Sequence, residues 1–332
     1  MTIDGDALDV VAATAEFSGV VRVDHGDEVV LEVAFGDADR AHGVPNTMAT
    51  QFGTASATKG LTALTVMRLV EQGVLSLRTT ARSLLGADLP LVDDRVTVEH
   101  LLAHRSGIGD YLDEELLDDI TDYVMTVPVH QLDTAESYLR VLDGFPTAFE
   151  PDSHFTYCNG GYVVLALLAE RAAGTPYHDL VRDLVCRPAG LQDTAFLRSD
   201  ELPGRAARGY LTTSGLRTNV LHLPVVGVGD GGAYTTVRDL RTMWQALFAG
   251  EIVSHETVTL MTRPHSTVSD RYAFGLGFWL PGDTGWVELD GGDAGVASWT
   301  RHHPDRDVTA TVLSNCSVGS DPVVRFVRES LA

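Results

Sequence analysis

Strand-forming runs occupy both ends of this chain and helix-forming runs its middle, and that arrangement restricts the fold more than any other feature of the sequence. Residues 17–37 (FSGVVRVDHGDEVVLEVAFGD) hold two β-rich runs around His25-Gly26-Asp27, and Gly26-Asp27 supplies turn chemistry, so an early hairpin is predicted. From residue 272 onward YAFGLGFWL, GWVELDG, GVASWTRHH and VTATVLSN follow, separated by Pro281-Gly282, Asp290-Gly291-Gly292 and Pro304-Asp305. Between them, residues 56–72 carry Leu61, Leu64, Met67 and Val70 near helical spacing with Gly73 as a stop. Residues 96–104, 131–143, 161–173 and 235–249 also read as helices. Strands from both termini enclosing a helical insert imply one antiparallel sheet and an α+β fold, with 1–80 and 270–332 forming the sheet domain and 81–269 a mainly helical one.

The chain is long enough, at 332 residues, to bury a full core, and 44% hydrophobic with 21% charged residues is the balance of a soluble globular protein. Basic residues number 24 against 46 acidic, a net charge of −22, which on average repels nucleic acid and anionic membrane surfaces. Cys158, Cys186 and Cys316 are odd in number and widely spaced, so reduced thiols are expected rather than a disulfide framework. The first residues, Met1-Thr2-Ile3-Asp4-Gly5-Asp6, are acidic where a signal peptide is basic and then apolar, and a cytoplasmic protein is expected.

Lys59 is the only lysine. Ser56-Ala57-Thr58-Lys59 places a hydroxyl and an amine at i and i+3 where a helix begins, on one face. A lysine activates a serine only if burial or neighbouring positive charge lowers its pKa, and the apolar helix supplies burial. Tyr157 and Asn159, at i and i+2 before another apolar helix, form a second candidate pair, although a capping Asn beside a core Tyr has the same pattern. His100 and His104 have metal-pair spacing but lack a third ligand, which favours capping or core roles. The stretch Asp110–Asp122 holds seven acids and no base, the pattern of a solvated face, with an electrostatic lip on a cleft as the alternative. A pyridoxal-phosphate Schiff base on Lys59 is disfavoured, since no phosphate-cradling glycine loop adjoins it.

In order, FGTASATKGLTALTVMRLVEQGVLSL, VTVEHLLAHRSGIGDY, FTYCNGGYVVLALLAERAAG, DGGAYTTVRDL and FGLGFWL resemble the serine β-lactamase and penicillin-binding-protein superfamily. The similarity is to its class C β-lactamase-like branch, which includes esterases and D-aminopeptidases. The resemblance implies a five-stranded antiparallel sheet flanked by helices, an active site at the junction with the helical domain, and no metal or organic cofactor. It implies Ser56 as the acylated nucleophile, Lys59 as its base, Tyr157 as proton shuttle and Asn159 as a holder of Lys59 and substrate. The third motif departs from the family: Leu289-Asp290-Gly291-Gly292 stands where a basic triplet such as Lys-Thr-Gly or His-x-Gly is usual. Gly292, with Gly291 next, is the candidate second oxyanion donor. Asp290, with Asp293, is a candidate contact for a cationic group. Arg301 is expected at an exposed hairpin, as are His302 and His303. The expected activity is an esterase on a small-molecule ester, amide or β-lactam. A β-lactamase, a D-Ala-D-Ala or D-amino-acid peptidase, and a non-catalytic binding module on the same fold are the alternatives; oligomeric state is left open.

Overall fold

The computed structural model describes residues 2–282 and 284–331. The predicted hairpin is β1 (Gly19–His25) and β2 (Glu28–Phe35), turned at Gly26-Asp27. Toward the C-terminus come β3 (Ser266–Thr267), β4 (Tyr272–Phe274), β5 (Trp279–Pro281), β6 (Val287–Asp293), β7 (Val296–His303) and β8 (Val308–Ser314). They form one antiparallel sheet in the order β2-β1-β8-β7-β6-β5-β4-β3. The N-terminal hairpin joins through β1 pairing with β8, Val20 opposite Leu313. The five long strands are those expected; three short strands extend the sheet to eight, two of them because YAFGLGFWL breaks at Gly275 and Gly277 into two pieces and the third, Ser266–Thr267, by pairing with β4.

Side chains alternate across this sheet between two hydrophobic layers. Val21, Val23, Trp299, Ala310 and Val312 face one side, which α1 (Gly5–Thr14) covers with Leu8 and Ala12. A second cover on that side is the C-terminal helix Ser320–Ser330, through Val323 and Val327. Strand signals dominate the sequence after residue 272 and conceal this helix, although its apolar residues recur at helical spacing. Val20, Leu289 and Leu313 face the other side, beneath α2 (Thr58–Glu71), with α3 (Asn159–Ala173) packed on it. Helix α4 (Val237–Phe248) adds Met243 and Trp244 to that layer. Every residue of α2 from Thr58 to Met67 is buried, as befits a helix enclosed on all sides.

Two expectations change. Residues 131–143 give short 3₁₀ turns and a single α-turn at Leu139–Leu142, not one helix. The Ser137 and Thr134 hydroxyls bond nearby backbone groups and compete with the helical ladder. His302 and His303 are buried rather than exposed. His302 lies beneath α4, stacked on Trp244 and Phe248, and burial lowers its pKa to about 4. Among the described residues no helix is long and apolar enough to cross a membrane.

Candidate active site

A 3₁₀ turn, Ala55–Ala57, leads into α2 and carries Ser56; Ala55 there has φ +42°. Two glycines let this turn approach the sheet. A methyl group on Gly291 of β6 would lie 2.7 Å from the Ser56 nitrogen and 2.4 Å from the Thr54 carbonyl oxygen. One on Gly60 would lie 2.7 Å from Leu289 Cδ1. Backbone therefore packs on backbone where the serine sits against β6.

One turn along, Lys59 is 3% exposed. Its ammonium donates to Ser56 Oγ at 2.9 Å, Asn159 Oδ1 at 2.8 Å and the Asp230 carbonyl at 2.8 Å, using all three protons. Burial lowers its pKa, opposed by the Asp230, Glu114 and Asp110 carboxylates and by Cys158.

Asn159 begins α3. Its backbone nitrogen and that of Gly160 donate to Asp110 at 2.6 and 2.8 Å, so a half-buried carboxylate caps this helix. Burial holds Asp110 up at about 6 against these donors. The Asn159 amide nitrogen donates to the Leu112 carbonyl at 3.1 Å and to Glu114 at 2.8 Å, fixing its oxygen toward Lys59. The acidic run is thus divided: Asp110 and Glu114 build the site, whereas Asp118, Asp119 and Asp122 are the exposed face expected.

Tyr157 comes from the loop before α3. Its ring stacks on Trp279 with centroids 6.0 Å apart and lies 4.4 Å from the His104 ring. Lys59 Nζ lies 4.8 Å from its centroid, and the Ser56 side chain is near enough to favour its ionised form. Its enclosed position, and then Glu114, push the phenol well above the usual range, so it is neutral near pH 7. His104 anchors the loop: Nδ1 accepts from the Cys158 nitrogen at 3.1 Å, and its carbonyl accepts from Thr156 at 3.0 Å. His100 shares a reciprocal cap with Thr97.

On β6, Leu289 is buried against Gly60, Asp290 is exposed and Gly292 faces open space. The strand pairs with β7 from Val287 to Asp293, but with β5 only through Glu288 and Trp279. Beyond Glu288 that edge opens to the cleft. Asp293 accepts from the Ala294 nitrogen at 2.7 Å, and burial pushes it up to about 7. Arg301, expected at an exposed hairpin, is 4% exposed and lies away from the cleft, over Trp286 at 3.9 Å and beside Glu288 at 3.6 Å.

Ser56 stands between two chambers. The inner one includes Asn159, Asp230, Gly292 and Asp293; the outer one includes Tyr157, Trp279, Asp290, Gly291 and Gly292. Sequence reasoning missed Asp110, Glu114 and Asp230 as builders of the site, His104 as the anchor of its loop and Trp279 as the stacking partner. The acid-glycine-glycine string at 230–232 was the one available signal for Asp230.

Comparisons with known proteins point to one family. The β-lactamase family model matches residues 9–331. The penicillin-binding protein from Bacillus halodurans superimposes with a TM-score of 0.91 at 32% identity, covering 98% of this chain and all of that one. D-aminopeptidase of Brucella anthropi is 28% identical over 318 residues, 92% of this chain and 57% of its own length. Esterase EstB of Burkholderia gladioli is 35% identical over 192 residues, 56% of this chain. The chain spans 57% and 48% of the length of these two curated relatives. With the match running almost from end to end and Ser56, Lys59, Tyr157 and Asn159 gathered in one cleft, the chain belongs to the β-lactamase family of serine hydrolases.

Proposed function

We propose that this protein cleaves an ester through an acyl-Ser56 intermediate. Neutral Lys59 takes the Ser56 proton while Oγ bonds the acyl carbon, and the oxyanion lies between the Ser56 and Gly292 N–H groups, with Gly291 next to them. As the carbon–oxygen bond to the leaving group breaks, Tyr157 passes its proton to that oxygen and regains one from the Lys59 ammonium. Water then attacks the acyl carbon by the reverse route. The observation that carries the reading is the contact of the only lysine in the chain with both Ser56 Oγ and Asn159 Oδ1.

Neutral esters are the preferred substrates over carboxylate-bearing penicillins or D-Ala-D-Ala peptides. Asp290 and Asp293 are among the residues lining the chambers, no Arg or Lys is among the described residues lining either one, and the stretch Leu289-Asp290-Gly291-Gly292 carries no basic residue. Asp293 supports a second reading, a D-aminopeptidase-like amidase that holds a free amino terminus; cleavage of a D-amino-acid anilide, lost in Asp293→Asn, distinguishes it. A fluorophosphonate and intact-mass measurement test the main reading. One adduct is expected, absent in Ser56→Ala; no adduct on the wild-type chain leaves the non-catalytic binding module.

A further inference from the structure

The two chambers differ in shape and wall, and the position of the tyrosine assigns them. Tyr157 stands on the wall of the outer chamber and does not line the inner one, whereas Asn159 lines the inner one alone. A leaving group must meet the residue that protonates it, so it has to lie in the outer chamber. The other half of the substrate, bonded to the same carbonyl carbon, then extends into the inner chamber. That chamber is the narrower and less open of the two, with about 70 Å³ of free volume against about 420 Å³ outside, and Met125, Tyr138, Leu223 and Val225 form its apolar wall. The outer chamber is broad and flanked by the Phe149 and Trp279 rings.

We infer that the inner chamber is the acyl site and the outer chamber the leaving-group site, so that the substrate class is short-chain acyl esters of bulky alcohols, with acyl length limited by Met125 and Val225. This rests on the acyl-Ser56 reading. Met125 is partly buried against the core and Val225 is 3% exposed, so truncating either enlarges the inner chamber without touching Ser56, Lys59 or Tyr157.

The test measures kcat/KM for p-nitrophenyl acetate, butyrate and octanoate, and for phenyl and 2-naphthyl acetate, with the mass of the trapped acyl-enzyme recorded in parallel. In Met125→Ala the octanoate-to-acetate ratio is expected to rise by at least ~10-fold, the scale on which a pocket discriminates methylene groups, with the naphthyl-to-phenyl ratio unchanged. Trp279→Ala is expected to do the reverse, changing the naphthyl-to-phenyl ratio and not the chain-length ratio. Val225→Ala, with its fold checked by circular dichroism, repeats the first result independently. A chain-length ratio that follows Trp279→Ala and ignores both inner variants overturns the assignment while an acyl-Ser56 mass is still seen. Absence of any acyl-Ser56 mass overturns the underlying reading instead.

Discussion

At Lys59 two opposing effects meet, and their balance sets how the site responds to pH. Burial disfavours the ammonium, while Asp230, Glu114 and Asp110 favour it, and burial is the larger influence. The base is neutral only above its pKa, so kcat/KM on a neutral ester should rise with pH as Lys59 loses its proton and then level off below the ordinary lysine range. Removing one opposing carboxylate strengthens the depression. Glu114→Gln, which keeps an acceptor for Asn159, should move the rising limb toward acid, read from a pH–rate profile; a limb that stays in place would mean that Lys59 is not the titrating base. Lys59→Arg should lower kcat/KM by ~10²–10⁴-fold, since a guanidinium stays protonated. Tyr157→Phe should fall in the same range on an alkyl ester and cost less on a p-nitrophenyl ester, whose leaving group needs no proton; equal losses on both would remove Tyr157 from the proton path. Tyr157-x-Asn159 was legible in the sequence as a spacing. What makes it a site is His104 and Asp110, which hold loop and helix start from positions 49 or more residues upstream.

At the level of elements, the site depends on how closely the Ser56 turn approaches β6 and on how α3 is capped. Gly291→Ala would drive a methyl group to 2.4 Å from the Thr54 carbonyl oxygen, a backbone contact with nothing flexible to yield. The expected result is a loss of ~1–3 kcal/mol in chemical denaturation, typical of overpacking, together with loss of fluorophosphonate labelling. An unchanged midpoint with full labelling would mean that turn and strand are not held in this contact. Asp110→Ala should cost ~1–2 kcal/mol, as the loss of a helix cap does, and should also slow turnover because Asn159 begins that helix. Loss of activity without loss of stability would assign Asp110 a chemical role in place of a capping one. Helices α2 and α3 were legible because each has a long apolar run ahead of a glycine, and α4 because its apolar residues recur at helical spacing ahead of Gly250. The segment 131–143 was not, since its hydroxyl groups win the local competition for backbone partners.

Across the whole molecule, a charge of −22 surrounds a cleft that bears Asp110, Glu114, Asp230, Asp290 and Asp293. Many arginines are engaged elsewhere, in pairs such as Arg22 with Asp24 and Arg171 with Glu136. An anionic substrate therefore meets repulsion at long range as well as in the cleft. Raising ionic strength from ~0.01 to ~0.5 M should increase kcat/KM for an acyl ester bearing a carboxylate by about tenfold and barely alter that of its neutral methyl-ester analogue. An anionic ester that salt leaves unchanged or slows would contradict that electrostatic picture.

The sequence by itself determined the sheet built from both ends, the buried helix behind Ser56 and the pairing of that serine with Lys59, because period-2 and period-3.6 patterns and an i, i+3 spacing are local properties of a chain. It also determined that the third motif carries no cation. The tertiary structure alone decided which carboxylates enter the site, that Arg301 lies away from the cleft, and that a helix closes the far face of the sheet. Those outcomes depend on residues such as Asp110 and Asn159, or Val21 and Val323, which are far apart in the chain and meet only once its layers have packed. An acid within a run of acids has the same sequence neighbourhood whether it faces water or a helix N-terminus; burial against α3 separates the two, and burial is a property of the assembled fold.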